Sequence, residues 1–296
     1  MNNINEFGTV AIPFITYTVA KFDGQKLYGS PILRKQFITA LAETGKTKPI
    51  INEIKKLVER KIVIPCIVKK GLFDYIMYKT INPNQKLASS IPVLGFYDSG
   101  SKKVYVLTNN NGVFFESDSK LLLARYTIHE LMHMAAELDP KFIDNFKEEL
   151  NLFYYNMYKE MFKLKSKVNV EPIVKFIYNL ELENNYTVDK LTRYYTLLDS
   201  TFKNDTTLNK NEFEKTLADY MLAIRLLMSG PGPFKKNVDK FIHIIRPIYK
   251  SYKESFGINL KYLVIQELII VSEVVCIYSE TRTSNKVYTS IKNLVK

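Results

Sequence analysis

Two imidazoles and a carboxylate within five residues can hold a metal ion and use it. In this 296-residue chain they meet at His129-Glu130-Leu131-Met132-His133. The chain has three histidines, and two of them are here. With 19 glutamates as well, random placement gives about 0.002 matches to HExxH, so composition alone does not account for the motif. On a helix, residues four apart share a face, just over one turn from each other. His129 and His133 can then share one small cation at roughly 2.0–2.1 Å from each ring, as zinc requires. Glu130 is one residue on from the first imidazole, within reach of a water held on the metal. Zinc lowers the pKa of such a water to about 7, so a carboxylate becomes a competent base at neutral pH. Ile128, Leu131, Met132 and Ala135 supply the apolar side that anchors the helix. The bland alternative is a helix with two inert, hydrogen-bonded histidines; the glutamate between them in a histidine-poor chain argues against it.

His129-Glu130-x-x-His133 resembles the zinc-binding helix of the zincin metallopeptidases, and the surroundings extend the likeness to about residues 92–139. The resemblance implies a zinc-dependent metallopeptidase in which Glu130 activates the water and then hands its proton to the leaving amine. The substrate would be an extended peptide or an exposed protein loop, lying in a cleft between two lobes. In zincins a sheet precedes the active helix and its edge strand pairs with the substrate backbone; residues 103–108 are the expected edge here.

Catalytic zinc wants three protein ligands and an open fourth position, so one ligand must come from elsewhere. Asp139 falls where metzincins place theirs. The residue three before it is Ala136 rather than the glycine that lets the chain turn back, so Asp139 reads better as a cap before Pro140. Glu137 is about 12 Å along a straight helix from His129, too far to share one ion with both histidines. A glutamate from a later helix completes the site in gluzincins. Glu273 is the leading candidate: its segment, Leu263 to Tyr278, is apolar nearly all round, and a buried carboxylate there needs a partner. Ser272-Glu273-Val-Val-Cys276 also looks like the gluzincin pattern, with a small residue three after the glutamate. Glu267 points about 240° away from Glu273. Glu214 is the alternative, although its helix has a polar face where a carboxylate is ordinarily solvated. His243, the third histidine, is a candidate for the oxyanion of the tetrahedral intermediate, as is a tyrosine, and a structural role for His243 remains open beside it.

The elements that must position these residues divide the chain in two. Residues 1–116 read as an α/β lobe. An extended segment covers 9–20, helices cover about 31–44 and 51–60, and a strand covers 61–68, with Pro65 placing it at an edge or bulge. A hairpin follows over 92–98 and 103–108. Residues 117–296 carry the motif helix, ended by Pro140, and then helices at about 141–165, 171–183, 187–202, 210–228, 236–254 and 259–281. The expected class is α+β and zincin-like, with the motif helix at the floor of a cleft between the small sheet and a mainly helical C-terminal lobe.

Composition excludes less. Hydrophobic content is 46%, so a packed core is expected. The net charge is +12, but no run of five like charges and no nucleic-acid motif is present, so no specific nucleic-acid partner is expected. Cys66 and Cys276 stand far apart in apolar surroundings and read as buried thiols. No recognisable signal peptide or convincing membrane span is visible, which points to a cytoplasmic or virion protein without a membrane partner. A chain rich in Lys, Asn, Ile and Tyr and lacking Trp suits a bacteriophage or an AT-rich bacterium. The competing reading is a structural or interaction protein, for example a virion component assembled into a larger particle, with a structural or vestigial metal site.

Overall fold

The computed structural model describes residues 16–22, 25–68, 95–108, 119–183, 187–228 and 271–296. Among them the chain is α+β and mostly helical, with ten helices and one small mixed sheet. The sheet strands are β1 (Tyr17–Phe22), β2 (Gln25–Gly29), β3 (Val63–Ile67), β4 (Gly95–Asp98) and β5 (Lys103–Thr108), in spatial order β1-β2-β3-β5-β4. Helices α1 (Pro31–Ala42) and α2 (Lys48–Glu59) lie between β2 and β3. Helix α3 (Ser119–Leu138) carries the motif, and α4 (Phe142–Asn145) and α5 (Lys147–Phe162) follow it. Then come α6 (Glu171–Glu183), α7 (Val188–Phe202), α8 (Lys210–Met228), α9 (Val271–Thr281) and α10 (Asn285–Asn293). The expected helices at 171–183 and 210–228 are present with those ends, and those at 31–44, 51–60 and 187–202 with ends shifted by one to three residues. The one expected at 141–165 is split into α4 and α5. Strand β2 and helix α10 were not anticipated. The expected helix at 236–254, and 259–270 of the last one, lie outside the described residues.

Local chemistry sets several boundaries. Ser30 caps α1 by accepting the Leu33 amide at 3.0 Å, with Pro31 at the first helical position. Strands β4 and β5 form the expected antiparallel hairpin, pairing Gly95 with Val106 and Asp98 with Lys103. Asp98 accepts the Gly100 amide at 3.1 Å and tightens the turn.

Two strand expectations need correction. Residues 103–108 are not the sheet edge: β5 pairs with β3 in parallel and with β4 antiparallel, so β4 is the end strand among the described residues. Nor does Pro65 place β3 at an edge, because β3 lies between β2 and β5. The bonds from the Val104 amide to the Ile62 carbonyl and from the Val68 amide to the Thr108 carbonyl show that even-numbered residues of β3 face β5. The missing N–H of Pro65 therefore points towards β2, which pairs with β3 only at Tyr28↔Ile67. No ladder bond is lost there.

Helix α3 crosses the sheet and packs along β4, β5, α9 and α10. Its anticipated apolar side is buried: Ile128, Leu131 and Met132 are fully covered, and Ala135 nearly so. One apolar cluster runs from Leu33 and Phe37 through this helix to Val275 and Ile291, so the residues before and after 117 share a core. The other face of the sheet holds a smaller cluster of Leu27, Cys66, Tyr105 and Leu107. No helix among the described residues is long and apolar enough to cross a membrane.

Candidate metal centre

Helix α9 lies against α3, and Glu273, Cys276 and Glu280 fall at i, i+3 and i+7, one stripe of its surface. Glu273 meets His133 and Glu280 meets His129, so the two helices run antiparallel. The Nε2 atoms of His129 and His133 are 3.1 Å apart. Glu273 places Oε1 2.9 Å from His133 Nε2 and Oε2 3.2 Å from His129 Nε2. On the far side of the ring, His129 Nδ1 is 2.7 Å from Glu280 Oε1.

These distances test whether a metal fits. Two atoms held at about 2.0–2.1 Å on a tetrahedral ion stand about 3.3 Å apart. The three edges found here, 2.9 to 3.2 Å, are close to that value. The chemistry agrees. If His129 donates from Nδ1 to Glu280, its Nε2 presents a lone pair to Glu273 Oε2, a buried oxygen with no hydrogen-bond partner among the described residues. Two acceptors facing each other need a cation between them, either protons or a metal. Burial opposes charge on His129, but the Glu273 and Glu280 carboxylates outweigh it and hold its pKa well above the ordinary imidazole range. Burial likewise opposes charge on Glu273, and His129 and His133 overcome it, holding its pKa well below the usual carboxylate range.

Glu130 lies in the same cleft, of about 660 Å³, with Gly95, Phe96 and Tyr97 of β4 on one side and Tyr178, Glu181 and Leu182 of α6 on another. Burial pushes the Glu130 pKa up, while both imidazoles and the Tyr97 amide, which donates to it, pull the other way. Strand β4 reaches the carboxylate this closely because Gly95 has no side chain. A Cβ there would sit 3.2 Å from Glu130 Cγ and 3.1 Å from the Tyr105 carbonyl oxygen. Gly95→Val is expected to cost about 1–3 kcal/mol of stability by overpacking. A melting curve would show it, and an unchanged melting temperature would contradict the close approach.

The structure separates the candidates for the third ligand. Glu273 joins the histidines. Glu214 is exposed on α8, which packs on α5 and α7, and it lines no part of the cleft. Asp139 accepts the Lys141 amide at 2.9 Å and the Asn145 side chain at 3.2 Å, bonds that hold the turn after α3 rather than cap its end. Glu137 forms an ion pair with Lys102 in the β4–β5 turn. His243 and Glu267 lie outside the described residues.

Cys276 is also close: its Sγ and one nitrogen from each of His129 and His133 lie within 4.8 Å of one another. Without a metal, burial raises the pKa of this thiol well above its usual range, and Glu273, Glu130, Glu181 and Glu280 raise it further. Both cysteines are free and buried, as expected.

Two residues here went unnoticed in the sequence. Glu280 was legible as the residue seven after Glu273, two turns along the same face. Its carboxylate fixes the His129 ring, and the backbone carbonyl of the same residue accepts a hydrogen bond from Lys46. Burial and the nearby Arg125 lower the Lys46 pKa to about 8, against the opposing pull of Glu280. Glu280→Gln is expected to weaken metal binding about 10–100-fold, the usual loss when an outer partner of a ligating histidine is removed. Competition with a chromogenic chelator would measure it, and wild-type affinity would deny Glu280 this role. Glu181, on α6, had no signal in the sequence; it reaches the cleft only through tertiary packing.

No family model matches this chain, and neither a curated protein nor a solved structure matches it.

Proposed function

We propose that this protein is a zinc-dependent metallopeptidase of gluzincin-like build. His129, His133 and Glu273 hold the ion, and Glu130 is the general base. The observation that carries this reading is the convergence of two imidazole nitrogens and one carboxylate, 2.9 to 3.2 Å apart, in a cleft that also contains Glu130. When bound, zinc lowers the pKa of a water to about 7 and polarises a carbonyl. Glu130, with its pKa raised by burial, accepts a proton closer to neutral pH than a solvated carboxylate does, and returns it to the leaving amine. Glu280 accepts from His129 Nδ1 and keeps Nε2 facing the centre. The outer edge of β4, in place of 103–108, is where an extended peptide backbone would pair.

Elemental analysis after dialysis against a mild chelator tests the centre, with about one zinc per chain as the expected result. A screen of unfolded proteins and peptides then tests the activity, which a strong chelator should abolish. No zinc taken up even when offered would end this reading.

The centre also has a pH signature. In the metal-free protein burial opposes a proton on His129, but the flanking Glu273 and Glu280 carboxylates outweigh it and favour the protonated ring. Metal must displace that proton, so zinc affinity is expected to rise with pH and binding to release protons. Calorimetry in buffers of different ionisation enthalpy would detect the release. Affinity independent of pH between about pH 6 and 8 would contradict it.

Cys276 supports a second reading. If its sulfur filled the fourth position, the centre would be closed and structural, and the protein an interaction or assembly component. Cobalt substitution separates the two. A thiolate-to-cobalt charge-transfer band that disappears in Cys276→Ser would favour the structural role; its absence in wild type favours the peptidase.

A further inference from the structure

We propose that Glu181 forms a subsite for an ammonium group of the substrate, either a lysine-type side chain or a free N-terminal amine, beside the His129/His133/Glu273 centre. This inference rests on the peptide-substrate reading above and names the chemistry of the group beside the centre.

Four glutamates line the cleft, and three have evident roles. Glu273 faces both imidazoles. Glu137 is paired with Lys102. Glu130 adjoins the imidazoles on its own helix and accepts the Tyr97 amide. Glu181 makes no ion pair among the described residues. Its Oε2 accepts the Ser272 amide at 3.3 Å and its Oε1 accepts the Ser272 hydroxyl. These neutral donors orient the carboxylate without cancelling its charge, and burial works against that charge. Ser272 immediately precedes Glu273, so the carboxylate is tied to the residue next to the centre.

Among the described residues the basic side chains lining the cleft are His129 and His133, and both imidazoles make their contacts with Glu273 rather than Glu181. The chain carries 42 lysines and arginines, and none of those among the described residues lines this cleft. The missing positive charge would come with the ligand. Phe96, Tyr97, Tyr178 and Leu182 line the same space and offer apolar surface to the methylene stem of a lysine-type chain. An ammonium placed here replaces its water shell with a charge-assisted contact, and a neutral isostere leaves Glu181 unanswered.

The test is binding by zinc-loaded protein, read by calorimetry, so it does not depend on cleavage. Three short peptides are compared: an end-blocked peptide with a central lysine, the same peptide with norleucine, and the norleucine peptide with a free N-terminus. Wild type is expected to bind at least one ammonium-bearing peptide about tenfold or more tightly than the blocked norleucine peptide. Which one gains identifies the source of the amine. In Glu181→Gln the gain should fall to about twofold or less. If that variant melts early, Glu181→Asp replaces it and should retain part of the preference. Equal binding of all three peptides by wild type, no binding of any, or a preference that survives in Glu181→Gln would overturn the proposal. An ammonium preference without any hydrolysis would leave the subsite standing and remove the peptidase. Hydrolysis without the preference would do the reverse.

Discussion

Glu130→Gln is expected to lower peptide hydrolysis by about 10²–10⁴-fold, the range for loss of a positioned general base, while zinc content stays at the wild-type level. Glutamine has nearly the shape of glutamate, so the packing against Gly95 and the contact with the Tyr97 amide can persist. What it lacks is the ability to take and return a proton. The side chain is not among the three groups that surround the candidate metal position, so the ion should remain. Metal analysis, a melting curve and turnover on the same preparation separate these effects. Retained turnover with intact zinc would remove Glu130 from the mechanism. Loss of zinc together with turnover would instead show that Glu130 supports the centre.

Glu273→Ala is expected to weaken zinc binding by about 10²–10³-fold, roughly one ligand's share of the ~10–16 kcal/mol by which four ligands hold a structural zinc. Glu214→Ala should bind zinc as wild type does, because Glu214 is solvated on α8 and lines no part of the cleft. Removing Glu273 has a second effect. It leaves the paired imidazoles, 3.1 Å apart, without the carboxylate that balances them, so the proton on His129 is held less firmly. The metal-free variant should therefore show a lower His129 pKa than metal-free wild type, which imidazole resonances in an NMR titration would report. Zinc retained by Glu273→Ala with wild-type affinity would exclude Glu273 as a ligand and turn attention to Cys276.

The reach of the sequence is clearest at the centre. Two histidines four apart on a helix must share a face, whatever the rest of the chain does, and the turn of the helix brings their Nε2 atoms together. Glu273 was legible for a different reason: a carboxylate in a nearly all-apolar helix has to find a partner or stay neutral. In each case the rule is local, set by helix geometry or by the cost of burying a charge.

Tertiary structure decided what local rules could not. The hairpin over 95–108 was readable from its alternating strands and turn residues. Which of its strands lies outermost depended on β3 pairing with β5 rather than with β4, a choice made between segments far apart in sequence. The same holds for Pro65, tolerated inside the sheet because its missing N–H faces a neighbour that pairs at a single position. Glu280 and Glu181 resemble any other glutamate in the sequence. One becomes the partner of His129 and the other a cleft wall because α9 runs antiparallel to α3 and α6 packs against α9. The sequence by itself determined that His129, Glu130 and His133 share one helix and that Glu273 needs a partner, since these follow from periodicity and charge burial. The three-dimensional packing of helices and strands decided what surrounds them, because those contacts join residues up to 234 positions apart that no local pattern links.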